Sequence, residues 1–71
     1  MEADHLYELN YAITLCTHDE KDRAKEHFAE FENLFANLEE EERNADQEVK
    51  DQRVMLAKEL GAVLDNGVYK L

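Results

Sequence analysis

Apolar residues recur along this chain with a helical period, and they divide it into three stretches and a tail. From Asp4 to Cys16, the residues Leu6, Leu9, Ile13 and Cys16 follow at steps of 3, 4 and 3, which draws one stripe along a helix. Tyr7, Tyr11, Ala12 and Leu15 widen that stripe, so this helix is expected to be buried on two faces, with Asp4 as its N-cap. The β-favouring run from Tyr11 to Leu15 makes a strand the minor alternative.

The second stretch opens with Thr17-His18-Asp19-Glu20, which matches a capping box, and acids at 19, 20 and 22 suit the positive end of a helix dipole. Behind it Ala24, Phe28, Phe31, Phe35 and Leu38 are spaced 4, 3, 4 and 3, with Leu34 alongside. This is the tightest pattern in the chain, and it predicts an amphipathic helix with an aromatic seam. The third stretch, about 49–64, carries Val49, Leu56, Leu60, Val63 and Leu64 on one broad face, with Met55 at its edge. Asp19 with Arg23, and Asp46 with Lys50, form favourable i,i+4 pairs. Asp65-Asn66-Gly67 reads as a left-handed helix end, and Val68-Tyr69-Lys70-Leu71 could pack back, add a strand to something else or fray; fraying is the commonest fate of a terminus, so residues 65–71 are expected to be a flexible tail.

Residues 39–48 are polar, with six acids and one base, and they support two topologies. In one, the helix ends near Glu42 and Asn44 or Asp46 caps the next. In the other, the 4-3 count continues from Leu38 through Glu42, Ala45, Val49, Gln52 and Leu56, and the helix runs straight through. Glutamates at a helix C-terminus oppose its dipole, and the region has no glycine cap. A helix that long would need a partner chain along its length. The expected fold is all-α: three helices at about 4–15, 18–40 and 46–64, the second and third forming an antiparallel hairpin with the first capping its open side. The alternative is a continuous helix over 18–64 in a dimeric coiled coil.

Composition supports helix, since there is no proline and the only glycines are Gly61 and Gly67. Seventy-one residues with 44% hydrophobic content make one small domain, 1–71, with a limited core. Charge changes the picture more. Eighteen acids against eight bases give −10, which argues against direct binding of nucleic acid or of an anionic membrane and favours a basic protein as partner. The candidate partner-binding surface is Glu26, Glu30, Glu39, Glu40, Glu41, Glu42, Asp46 and Glu48, with Glu32 and Asp51 extending the track. Phe28, Phe31, Phe35, Leu38, Leu56 and Leu60 are the candidate core, or a seam for self-association into a homodimer.

Candidate chemistry is sparse. The chain has no serine. Cys16 sits at a helix C-terminal end, where the dipole raises a thiol's pKa, and a pair with nearby His18 is improbable beside a packed small residue. Glu2-Ala3-Asp4-His5 has the Glu-x-x-His spacing of helical di-iron sites but no second copy. His18 with Asp22, and Asp22 with Glu26, are spacings expected by chance at this acid content. Glycine-rich phosphate cradles and calcium loops are absent from the sequence. No cofactor, metal or catalytic residue is therefore assigned. The acidic N-terminus, the lack of any long apolar run and the single cysteine point to the cytoplasm, of a cell or of an infected host cell.

The expected function is that of a non-enzymatic, acidic protein-binding regulator or inhibitor. A carboxylate-coated rod could stand in for the phosphate line of a nucleic acid and block a basic nucleic-acid-handling protein, as small acidic viral inhibitors do; the analogy is one of charge and size and carries no motif. The alternative is a self-associating helical adaptor or structural protein with a solvated acidic surface. Only the continuous helix would line the acids along a rod, and only the rod resembles a nucleic acid; a turn at 39–48 would gather them at one tip.

Overall fold

The Phe seam does become the core. The computed structural model describes residues 4–71, with α1 at Asp4–Thr17, α2 at Lys21–Ala36, α3 at Glu40–Arg43 and α4 at Gln47–Leu60, followed by the strands β1 at Val63–Asp65 and β2 at Val68–Lys70. Phe28 and Phe31 are fully enclosed, and Phe35, Leu56 and Leu60 are buried beside them, with Leu38 half-buried at the margin. The three phenylalanine rings stack in sequence along α2, with centroids 6.1 and 5.2 Å apart. Burying each such ring contributes roughly 1.5–3 kcal/mol.

A helical hairpin is present, but its arms are α1 and α2, which pack far more extensively than α2 and α4. Three cross-contacts fix it as antiparallel: His5 lies against Phe31 and Phe35, Glu8 pairs with His27, and Tyr11 meets Arg23. The cause is the wide apolar surface of α1, which sends Leu9, Ala12 and Leu15 into the core. Only one face of α1 is buried, however. Leu6 and Tyr7 remain exposed.

The capping box does not form. α1 runs on to Thr17, whose Oγ1 donates to the carbonyl of Ile13 at 3.0 Å, and no side chain caps α2 at Glu20. The turn closes through Asp19 instead, in the left-handed region at φ 62°. The Glu20 amide donates back to Leu15 at 2.8 Å, and the Asp19 amide to Cys16 at 3.1 Å, which satisfies carbonyls at the end of α1. Arg23 pairs with Glu20 rather than Asp19.

The continuous helix is excluded: α2 stops at Ala36, and α3 is a single turn. A guanidinium does the work of the missing glycine cap. Arg43 donates to the carbonyls of Leu38 and Ala36, and Asn37 Nδ2 donates to that of Asn33 at 3.0 Å. Asp46 then caps α4, its carboxylate accepting from the Glu48 amide at 2.9 Å. Lys50 reaches Asn44 at 3.0 Å rather than Asp46.

The last helix ends at Leu60, four residues earlier than the sequence suggests, with Gly61 in the left-handed conformation at φ 74° and the Ala62 amide donating to Ala57 at 2.8 Å. Asn66 and Gly67 are not a helix end. Both have positive φ, 52° and 83°, and they form the two-residue turn of a β-hairpin pairing Val63 with Lys70, Leu64 with Tyr69 and Asp65 with Val68. Val63, expected on the core face, is instead 69% exposed in β1. The expected tail contains β2, which packs on α2 with Tyr69 against Phe28.

Candidate functional site

Two acidic regions sit in opposite environments. The first is internal. Glu32 lies one residue after Phe31 on α2, at the 4-3 position between Phe28 and Phe35, so its side chain points along the buried face. It is 2% exposed, which corrects its assignment to the outer acidic track. Arg53 of α4 meets it with two short contacts, Nε to Oε2 at 2.6 Å and Nη2 to Oε1 at 2.7 Å. The Tyr69 amide donates to the same Oε1 at 2.7 Å, and Arg53 also donates to the Gly67 carbonyl at 2.9 Å. The guanidinium also rests against the rings of Phe35 and Tyr69, 4.9 and 4.8 Å from their centroids. A buried charge persists only when paired and hydrogen-bonded, and every buried side-chain polar atom among the described residues has a partner. Glu32 and Arg53 thus pin the C-terminal hairpin to α2 and α4; they are structural.

The second region is external. Glu39, Glu40, Glu41, Glu42, Asp46 and Glu48 are all exposed, as are Glu26 and Glu30 further back on α2. The break at 37–39 and the single turn of α3 gather the first six at the end of the molecule where α2 terminates. Among the described residues none of the six joins an ion pair, because Arg43, the one cation of the stretch, is turned onto backbone carbonyls. Asp46 holds the α4 cap and Glu48 accepts loosely from Gln52 at 3.5 Å, whereas the carboxylates of 39–42 make no side-chain bond among the described residues. The geometry is a charged tip and not a coated rod.

The Phe seam is spent inside the chain. A homodimer through Phe28, Phe31 and Phe35 would require the fold to open, since all three are buried.

A surface network the sequence did not disclose ties α1 to α2. His27 Nδ1 lies 2.7 Å from Glu8 Oε2, and its ring stacks on Tyr11 at 4.2 Å. The Tyr11 hydroxyl accepts from Arg23 Nη2 at 3.2 Å, and Arg23 also donates to Glu20. The hydrogen bond and charge of Glu20 raise the pKa of the Arg23 guanidinium, a group already charged at any ordinary pH. The signal for this network was the helical spacing of 8 with 11 and of 20, 23 and 27, legible only once the hairpin is known.

Reactive side chains are not assembled. Cys16 is a free thiol, half-buried in a groove with Ile13, Thr17, Met55, Leu56 and Glu59, while His18 is exposed in the turn. Among the described residues no three His, Cys, Asp or Glu side chains gather as metal ligands, and no helix is long and apolar enough to cross a membrane. Glu2 of the Glu-x-x-His spacing, the residue preceding Asp4 and the acidic start of the chain lie outside the described residues. No family model, no curated protein and no solved structure matches this chain.

Proposed function

We propose that this chain is a non-enzymatic, acidic binding module that regulates or inhibits a basic protein by occupying its positively charged surface. The observation that carries the reading is the cluster over 39–48: six exposed carboxylates, none in an ion pair among the described residues, with Arg43, the one cation within the stretch, committed to the end of α2. Net charge of −10 adds long-range attraction for a basic partner and repulsion for an acidic one. Basic patches that take nucleic-acid phosphates are the natural counterpart, because clustered carboxylates present the same sign of charge. With the acids gathered at a tip, the match is to a compact patch of a few Lys or Arg side chains and not to a long groove. The lone thiol of Cys16 fits a reducing cytoplasm.

The test is a set of binding isotherms against basic nucleic-acid-binding proteins, run from low to high salt, with and without competing duplex DNA. The reading expects a complex that weakens steeply with salt, is displaced by DNA and is lost when Glu39, Glu40, Glu41 and Glu42 are all changed to Gln. Affinity insensitive to salt and to those four substitutions overturns it.

A further inference from the structure

Three cations meet around one recess of this acidic molecule. Arg43, Lys50 and Arg53 line a space of about 190 Å3 with Phe35, Asn44 and Val54, where the end of α2, α3 and the first half of α4 converge on the hairpin turn at Gly67. No acidic side chain lines it, in a chain with eighteen acids and eight bases. Glu39–Glu42 stand next to Arg43 in sequence, yet none of them reaches the recess.

The fold fixes each cation in place. Lys50 and Arg53 are three residues apart on α4 and share a face. Lys50 Nζ donates to Asn44 Oδ1 at 3.0 Å, which ties it to the residue after Arg43. Arg43 is anchored on the carbonyls of Ala36 and Leu38, and Arg53 on Glu32 and the Gly67 carbonyl. These bonds do not exhaust the donors. Arg43 uses Nη1 alone, Arg53 uses Nε and Nη2, and Lys50 uses one of its three N–H bonds. Among the described residues no buried side-chain nitrogen lacks a partner, so the remaining donors open to solvent. Glu32 neutralises Arg53, whereas Arg43 and Lys50 join no ion pair among the described residues. Two uncompensated positive charges therefore face one recess, and an anion there would relieve their repulsion.

We infer that this recess binds a single small phosphate dianion. A tetrahedral oxyanion accepts hydrogen bonds from three directions at once, and guanidinium groups suit phosphate oxygens. The net charge of −10 and the exposed acids of 39–42 repel a long polyanion, so the ligand is one phosphoryl group and not a nucleic-acid strand. The site is separate from the acidic surface and does not depend on the acidic-module reading.

The experiment titrates the full chain with sodium phosphate near neutral pH, with ionic strength held constant by sodium chloride, and follows backbone amide and arginine Nε–H resonances by NMR. Saturating shifts are expected at Arg43, Asn44, Lys50 and Arg53, with little change across α1. Lys50→Gln is expected to weaken binding roughly fivefold, the weight of one exposed charge contact at about 4 Å in water, and Lys50→Arg to retain it. Val54→Glu, at a position 40% exposed, sets a carboxylate at the recess and is expected to abolish the shifts; circular dichroism checks that the variants fold. Shifts that grow without saturating and match those in chloride alone overturn the site. So does a Lys50→Gln or Val54→Glu chain that titrates like the parent. A single-stranded oligonucleotide that moves the same amides at lower concentration than phosphate overturns the small-ligand assignment.

Discussion

Glu32 and the run Glu39–Glu42 are the same side chain, only a few residues apart, and the fold treats them in opposite ways. Glu32 is stripped of water and repaid with three short hydrogen bonds from Arg53 and the Tyr69 amide. The run at 39–42 keeps its water, and its only local cation faces elsewhere. One carboxylate holds the molecule together, and four contribute nothing visible to its stability. Net charge alone does not separate these roles. What separates them is position on the helix: Glu32 falls within the apolar stripe, whereas 39–42 lie beyond the last turn of α2.

Four tests by substitution break or sharpen that contrast. Arg53→Ala leaves Glu32 buried without a counter-charge, and the expected loss is about 3–5 kcal/mol. A domain this small has little more than that in reserve, so its thermal transition by circular dichroism should collapse. A melt close to that of the parent would mean that Glu32 is not committed to Arg53. Replacing both partners, Glu32→Gln with Arg53→Met, removes the stranded charge. The pair should lose less than the two single changes added together, with a coupling on the order of 2 kcal/mol in urea titrations; strict additivity would dissolve the distinction. Asp46→Ala removes the one acid of the external cluster with a structural duty, and about 1 kcal/mol should go with the cap. Glu40→Gln and Glu41→Gln should each change stability by less than about 0.5 kcal/mol while reducing the salt dependence of partner binding. A large destabilisation there would give the tip a structural role.

The aromatic seam and the Asp46 cap were readable because each rests on local spacing: the 4-3 rhythm of Phe28, Phe31 and Phe35, and an acid just before an apolar run. The break after Ala36 was not, because its cap is Arg43, a side chain seven residues away that returns to the Ala36 carbonyl. Thr17 misled because its hydroxyl could accept from the amide three residues ahead or donate to the carbonyl four residues behind, and the turn behind it won. Asn66-Gly67 offered a left-handed pair that suits a helix end or a hairpin turn equally; the deciding fact was that Gly61 had already ended the helix. The buried pair did leave a trace. Glu32 interrupts the stripe of Phe28 and Phe35, and Arg53 interrupts that of Val49, Leu56 and Leu60, each at helical spacing and with opposite sign. Two such interruptions imply one another, but only if the two helices are known to meet. The tyrosine surface of α1 was legible as excess apolar area, though not as an exposed face.

The partners of Glu32 lie 21 and 37 residues downstream of it. A fragment ending before Gln47 keeps α1 and α2 but lacks both Arg53 and Tyr69. An unpaired carboxylate is costly to bury, so Glu32 of the fragment should keep its water and hold one edge of the hairpin open. Such a fragment is expected to be a helical hairpin with a wet seam, cut by proteases faster than the 71-residue chain.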